Sequence, residues 1–310
     1  MPTIVAKISN FSNSFSGLNG EKPLRVTRSQ FLKYAMTSGI QLFGNSKVRP
    51  ERAITLALYK ALGITCSLDF SGPEVRRQSS FKNLDQTEQA NLSTWVGMAG
   101  AAFLADQILD IPQLFHAGAL YKDKKLQMLN SQSRRIADLI GTDRSGRWHV
   151  LEAKARQSKP SNKDREKWKE QAQSISRING SVPVTSSYCF SKIQNSYKIE
   201  LYDPPAKENE VEFIVQDEIS LINTYYRVLL EFIYEFEART FSVAGISFKL
   251  AGFDLENNEF VYVGLHGRVF KALINEKIPS QIKPFEEGDI FVASDGVAIA
   301  TSKYPNEIEA

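Results

Sequence analysis

The stretch from 135 to 154, RIADLIGTDRSGRWHVLEAK, decides the fold of this chain. Two runs rich in apolar and β-branched residues, Arg135–Ile140 and Trp148–Lys154, flank the turn-rich segment Gly141–Gly146. Short apolar runs joined by glycine, aspartate and serine are typical of paired strands. The sequence therefore predicts a β-hairpin over these residues.

Three charged side chains meet in the predicted hairpin. Side chains alternate between the faces of a strand, so Glu152 and Lys154 share one face, and Asp138 brings a second carboxylate from the preceding strand. Two neighbouring carboxylates repel each other unless a cation lies between them. Both carboxylates and the carbonyl oxygen of Ala153 are hard ligands that suit Mg²⁺ or Mn²⁺, and a neighbouring ammonium can orient a nucleophile. Phosphodiester hydrolysis is the reaction that these groups suit.

Asp138, thirteen intervening residues and then Glu152-Ala153-Lys154 resemble the signature of the PD-(D/E)XK nucleases. The order of predicted elements is similar as well: helix 86–110, the hairpin, the charged helix Lys163–Ile178 and strand 182–190 match the family's helix, antiparallel strands, crossover helix and parallel strand. The resemblance covers residues 85–203. It implies a restriction-endonuclease-like α/β core, a mixed sheet flanked by helices, that cuts DNA with Mg²⁺ or Mn²⁺.

The family also implies further site residues. Many members carry a glutamine on the crossover helix that faces the site, and Gln171 is the best match, with Gln173 second. Two positions depart from the family pattern: Ala137 stands in place of proline, and the first helix lacks a clear counterpart of the additional acidic ligand. Glu88 and Asp106 are both candidates for that ligand, and the sequence does not choose between them.

The competing interpretation is that the match of Asp138, Glu152 and Lys154 to the nuclease motif arises by chance. A second match, Asp110 followed by Asp123-Lys124-Lys125, lacks a β-branched run before it and lies in a lysine-rich stretch, which is typical of a solvated face. Glu152 and Lys154 could instead form an ordinary ion pair on a surface strand, or lie on a helix that runs from 150 onward. Val150-Leu151 before the motif and Pro160 after it argue against a long helix. His149 alternates to the opposite face from Glu152, which predicts a packed residue and not a general base.

Three regions follow from the pattern along the chain. Residues 1–80 form an N-terminal region of unknown role, residues 81–203 the nuclease-like core, and residues 204–310 a C-terminal region, which we expect to be a separate unit. The N-terminal and C-terminal parts are predicted to be α+β. Further predicted elements are helices near Ser29–Met36, Pro50–Leu62 and Ile219–Arg239, a strand at Tyr197–Tyr202, an exposed linker at Pro204–Glu210, and short strands from Phe241 onward.

The charge balance limits how the chain contacts nucleic acid. Lysine and arginine number 38 against 35 for aspartate and glutamate, so the chain is not a polycationic coat and contact must be local. Basic residues near the motif suit phosphate binding, or equally a solvated helix with ion pairs. They are Arg134, Arg135, Arg144, Arg147, Arg156, Lys159, Lys163, Arg165, Lys167 and Lys169.

Cysteine use and hydropathy indicate the compartment. Cys66 and Cys189 are far apart in apolar or small-residue stretches, which predicts two buried free thiols, and no zinc-ligand spacing occurs. The first residues lack a secretory signal pattern, and the apolar window Leu92–Leu109 contains too many polar residues for a good membrane span. We expect a soluble cytoplasmic protein.

The resemblance leaves the biological setting open. Similar cores act in restriction, repair, recombination and anti-phage defence, and we favour a prokaryotic defence nuclease. No GxxxxGK[ST] loop occurs in the sequence, so an energy-driven step would require a helicase or ATPase partner. Assembly into a homo-oligomer fits the same setting. Two alternatives stay open: a module with a nuclease fold that binds nucleic acid or a partner without cutting, and an RNA-cleaving version of the same site.

Overall fold

The structure is a computed structural model that describes residues 1–38, 50–122, 124–129, 136–205, 211–215, 217–236, 238–243, 245–255, 259–287 and 290–302. The α-helices in these ranges are α1 Arg28–Thr37, α2 Pro50–Ser67, α3 Gln86–Leu109, α4 Ala117–Lys122, α5 Asn162–Ala172, α6 Glu218–Glu235 and α7 Gly267–Ile274. The strands are β1 Thr3–Ser9, β2 Gly20–Arg25, β3 Leu68–Asp69, β4 Arg76–Arg77, β5 Phe115–His116, β6 Leu126–Leu129, β7 Leu139–Thr142, β8 Trp148–Arg156, β9 Arg177–Ile178, β10 Thr185–Lys192, β11 Lys198–Tyr202, β12 Glu212–Val215, β13 Arg239–Val243, β14 Ile246–Leu255, β15 Glu259–His266, β16 Phe285–Glu287, β17 Ile290–Val292 and β18 Val297–Ser302.

A seven-stranded mixed sheet lies at the centre of the molecule, in the order β2-β1-β11-β10-β8-β7-β5. Strand β8 runs parallel to β10, and β1 runs parallel to β11, whereas the other neighbouring pairs are antiparallel. With several helices against it, this sheet makes the chain mixed α/β, as the sequence predicts. Residues 3–9 belong to this sheet, so the N-terminal region contributes directly to the layer that carries the motif.

Helix α3 covers one face of the central sheet. It begins with a capping box, in which the Asp85 side chain accepts from the amides of Thr87 and Glu88 while the Glu88 side chain accepts from the amide of Asp85. Gly97 allows the helix to approach β8, because a Cβ atom there would lie 3.0 Å from the carbonyl carbon of Lys154. By length and composition α3 could also cross a membrane, but 72% of its apolar window is buried inside the protein.

Helix α5 covers the opposite face, on which Glu152 lies. Its capping box at Ser161 and Asp164 opens the helix where the sequence predicts, and Pro160 keeps it separate from β8. The buried Trp168 stacks on Phe190 of β10 with ring centroids 5.1 Å apart. This aromatic contact fixes the helix over the strand next to β8.

The C-terminal part contains a six-stranded antiparallel sheet, in the order β13-β14-β15-β18-β17-β16. Its residues Val263 and Ile299 belong to the same hydrophobic core as Ile4 of the central sheet. A buried ion pair between Lys33 Nζ of α1 and Asp295 Oδ2, 2.9 Å apart, joins the two parts as well. Burial of apolar side chains across this boundary supplies the main stabilising free energy there.

Several predicted boundaries are wrong. The charged helix ends at Ala172 and not at Ile178, because Gln173 leaves the helical conformation. Residues 177–178 form β9, which pairs with β12 in parallel, and Asn179 and Gly180 take positive φ in the turn that follows. The aromatic-rich helix also ends early, at Glu235.

The two cysteines are free, as predicted, but only Cys189 is buried. Cys66 is exposed because its side chain lies on the solvent side of α2, so the expectation of two buried thiols is wrong for this residue. The predicted linker is described only at Pro204 and Pro205, and the remainder of Pro204–Glu210 lies outside the described residues.

Candidate active site

The hairpin that carries the motif forms where the sequence predicts it. Strands β7 and β8 pair in antiparallel register, with Leu139 opposite Leu151 and Gly141 opposite His149. Asp143 closes the turn, since its Oδ1 accepts from the amides of Ser145 and Arg147 at 2.9 and 3.0 Å. The turn is shorter than expected, because 141 and 142 belong to β7.

Asp138 lies immediately before β7 and not within a strand, which corrects the predicted strand Arg135–Ile140. The Asp138 side chain accepts a hydrogen bond that a backbone carbonyl would accept in a continued strand pair: its Oδ2 accepts from the amide of Ala153 at 3.1 Å. In return, the amide of Asp138 donates to Glu152 Oε2 at 3.1 Å. These two bonds hold both carboxylates beside the same point of β8.

Lys154 bridges the two carboxylates. Its Nζ lies 3.5 Å from Asp138 Oδ2 and forms an ion pair with Glu152 Oε1. The Glu152 side chain is fully buried, whereas those of Asp138 and Lys154 are 23% and 26% exposed. The site is therefore open to solvent on the side of Asp138 and Lys154 and closed behind Glu152.

Burial and charge shift the pKa values of this group in a consistent direction. Burial, together with the Asp138 carboxylate, raises the pKa of Glu152, and the opposing effect of Lys154 is smaller. Burial lowers the pKa of Lys154, but the Asp138 and Glu152 carboxylates outweigh it and raise that pKa overall. A strongly perturbed acid next to a perturbed lysine, partly open to solvent, is typical of functional sites.

The donor set fits a hard divalent cation. With all three side chains charged, two carboxylates and one ammonium leave a net charge of −1, and a cation already lies between the carboxylates in the form of Lys154 Nζ. The amide and carbonyl of one residue point to the same edge of a strand, so the Ala153 carbonyl faces the side on which its amide meets Asp138. In the described part of the chain, no cluster of three His, Cys, Asp or Glu side chains forms around them. Mg²⁺ accepts such a set, because it binds through one or two carboxylates and keeps water for its other positions.

The two predicted glutamines, Gln171 on α5 and Gln173 just after it, are not part of this cluster in the structure. Gln171 is half-buried, and within the described residues its side chain makes no hydrogen bond with Asp138, Glu152 or Lys154. Gln173 donates its side-chain amide to the carbonyl of Pro205, three residues after the end of β11. Gln171 nevertheless lies on the helix that covers the site face.

Neither candidate for an additional acidic ligand reaches the motif. Glu88 serves in the capping box at the exposed N-terminus of α3. Asp106 accepts from the Tyr34 hydroxyl and from Ser294, in the buried contact between α1 and the C-terminal sheet. Both acids have structural partners far from β7, so the site contains two carboxylates.

Two other residues have roles beside the hairpin. His149 is buried, with Nδ1 2.8 Å from Thr185 Oγ1 and Nε2 3.4 Å from Asp143 Oδ2, in agreement with the predicted packed histidine. Ser174 was not predicted as a residue of this site; its hydroxyl accepts from the amide of Ala137 at 3.0 Å, next to Asp138. No local signal predicts that bond, since it joins positions 37 residues apart.

Ion pairs neutralise half of the predicted basic residues. The pairs are Arg144–Asp110, Arg147–Asp143, Arg156–Asp164, Arg165–Glu200 and Lys169–Glu166. Lys159, Lys163 and Lys167 are exposed and have no ion pair among the described residues. Arg134 and Arg135 lie outside the described residues.

Comparison with known proteins identifies no relative. The chain matches no protein-family model, no curated protein and no solved structure.

Proposed function

We propose that this chain is a divalent-metal-dependent nuclease, with a restriction-endonuclease-like core, that hydrolyses phosphodiester bonds in DNA. The observation that carries the proposal is the convergence of Asp138, Glu152 and Lys154 at one point of β8. The mixed sheet and the helix α5, which connects β8 to its parallel neighbour β10, support the same core.

Each residue has a task in this reaction. Asp138, Glu152 and the Ala153 carbonyl would hold Mg²⁺ or Mn²⁺, which when bound supplies positive charge to the phosphate and lowers the pKa of water. Lys154 stabilises negative charge that develops on the phosphate oxygens, because its ammonium lies at the open side of the pair. Glu152 is held away from solvent, which strengthens its interaction with any cation in front of it. Gln171 remains a proposed contributor from the covering helix.

The exposed lysines near α5 suit the contact with the nucleic-acid backbone. Lys163 and Lys167 are four residues apart on α5, so they lie on one side of the helix. Lys159 precedes the same helix, and all three lack ion pairs among the described residues. Contacts of this type position a phosphate backbone without reading its sequence.

The proposed setting is a cytoplasmic prokaryotic defence or restriction system. The partners that we propose are DNA, a helicase or ATPase subunit, and further copies of the chain. Cleavage of RNA and binding without cleavage are the outcomes against which the proposal is tested.

The test is cleavage of supercoiled plasmid, linear duplex DNA, single-stranded DNA and single-stranded RNA by the purified chain, in EDTA, Mg²⁺ or Mn²⁺. Wild type is compared with Glu152→Gln and Lys154→Met, which change charge with little change in shape. Matched controls are Glu235→Gln and Lys198→Met, both at exposed positions away from the site. We expect metal-dependent cutting of DNA that both site variants reduce by at least 10²-fold, in line with removal of one stabilising group, and that both controls retain.

Cutting that survives both site variants would exclude this active site. Cutting of RNA alone would replace the proposed substrate. Binding of nucleic acid with no cutting in any metal, with or without an added helicase or ATPase, would favour the binding module.

A further inference from the structure

A second candidate site lies at the end of the central sheet, beside the segment after α5 that contains Ser174. A cavity of about 780 Å³ opens between the loop that follows β1, the residues after α5, the segment leading into β10 and the residues after β11. Its size is within the range of sites for small molecules. Its exposed apolar side chains are Val182 and Val184, whereas Phe11, Pro183 and Pro204 are buried behind the wall.

The charge of this cavity excludes most anionic ligands. Among the described lining residues, Asp203 is the one ionisable side chain, and no lysine or arginine lines the wall. Arg147 lies over the ring of the lining residue Phe15 and is paired with Asp143 at 2.7 Å. Among the described lining residues, a phosphate or carboxylate group would therefore meet an acid with no cation to offset it.

The polar atoms left for a ligand are acceptors. Asp203 Oδ1 accepts from the Ser186 amide at 2.9 Å and from the Ser187 hydroxyl at 3.0 Å, whereas Oδ2 has no partner among the described residues. The side-chain nitrogen of Asn10, Nδ2, donates to the backbone carbonyl of Asp203 at 2.6 Å. The side-chain oxygen of Asn10, Oδ1, is left as an acceptor for a ligand. A carboxylate can accept about four hydrogen bonds, so Asp203 retains room for two donors.

We propose that this cavity binds a planar ligand with adjacent N–H donors, either the edge of guanine that carries N1–H and the 2-amino group or a guanidinium group. The Asp203 carboxylate accepts the N–H pair, and Asn10 accepts a further donor. The same chemistry has two sources, a nucleoside and an arginine side chain. This site is independent of the proposed nuclease reaction.

The test is titration of the full chain by calorimetry with guanosine and with N-acetylarginine amide. Inosine, which lacks the 2-amino group, and N-acetyllysine amide, which has a charge but no planar N–H pair, are the matched probes. The variant Asp203→Asn keeps one oxygen for Ser186 and Ser187 but places an NH₂ donor where Oδ2 stands. We expect guanosine or N-acetylarginine amide, or both, to bind to the wild type. A probe that binds should bind at least tenfold more weakly to Asp203→Asn, and its matched probe should bind at least tenfold more weakly to the wild type.

A blocking pair of variants keeps the test interpretable if Asp203→Asn disturbs folding. Ser14→Trp places an indole in the cavity from an exposed lining position, whereas Ser16→Trp makes the same change two residues along the loop, outside the lining. Binding lost in Ser14→Trp and kept in Ser16→Trp supports the site. Binding of guanosine alone identifies a base as the ligand, and binding of the arginine amide alone identifies a guanidinium. Absence of binding by both probes, or equal binding to wild type and Asp203→Asn, overturns the proposal.

Discussion

The hydroxyl oxygen of Ser174 accepts a hydrogen bond of 3.0 Å from the backbone amide of Ala137. This bond joins the segment after α5 to the residue before Asp138. Asp138 precedes β7, and its position depends on this anchor, on its two bonds to β8 and on the bond of 3.0 Å from the Ala117 amide to its carbonyl. The position of Asp138 in the candidate site therefore depends on the segment that follows helix α5.

Removal of that anchor is the first prediction. Ser174→Ala leaves the buried Ala137 amide without an acceptor, which costs on the order of 1–3 kcal/mol. We expect Mn²⁺ affinity, measured by calorimetry, to fall severalfold because Asp138 is held less firmly. Ser176→Ala is the matched control, since Ser176 bonds to the Val211 carbonyl on the same segment but not to Ala137. Equal Mn²⁺ affinity in both variants would argue against the anchor.

Replacement of the bridging cation is the second prediction. In Lys154→Met, the carboxylates of Asp138 and Glu152 lose the ammonium between them, so mutual repulsion destabilises the hairpin. We expect a lower Tm in EDTA than for wild type, and a larger increase in Tm when Mn²⁺ is added, because the ion no longer competes with Lys154. Lys198→Met provides the exposed control. An identical Mn²⁺ response in wild type and Lys154→Met contradicts a shared position for the two cations.

The buried ion pair between α1 and the C-terminal sheet is the basis of the third prediction. Asp295 Oδ2 accepts from Lys33 and, at 2.6 Å, from the Tyr225 hydroxyl. Lys33→Met leaves the buried carboxylate without its counter-charge, and we expect a loss of about 3–5 kcal/mol in the free energy of unfolding. The double variant with Asp295→Asn should recover part of that loss, as measured by urea denaturation. A double variant as unstable as the sum of the single variants would show that the two residues are not coupled.

Acid stability provides the fourth prediction. Burial lowers the pKa of His149 to about 4 from 6.5, although Asp143 opposes the shift. A histidine whose pKa is depressed on folding contributes stability that is complete above pH 6.5 and is lost as the pH falls through its folded pKa. The shift corresponds to roughly 3 kcal/mol at most. We expect His149→Gln to lose less free energy of unfolding than wild type between pH 6.5 and pH 4, and an unchanged pH profile would show that His149 is not responsible.

Local signals account for the elements that could be predicted. The hairpin follows from two apolar runs around a turn, and the starts of α3 and α5 follow from capping residues that bond within three positions of one another. The prediction failed where a helix ended without a glycine or proline at its boundary, as at Ala172. There, long-range pairing of β9 with β12 competes with helix propensity, and tertiary contacts prevail.

By itself, the sequence determined the hairpin and the shared face of Glu152 and Lys154, because strand periodicity and turn chemistry act over a few residues. Only the tertiary structure decided that β1 pairs with β11, that Ser174 anchors Ala137, and that Asp106 is used elsewhere. These contacts join residues far apart in the chain, and their geometry is set by burial of a common core, which no local pattern encodes.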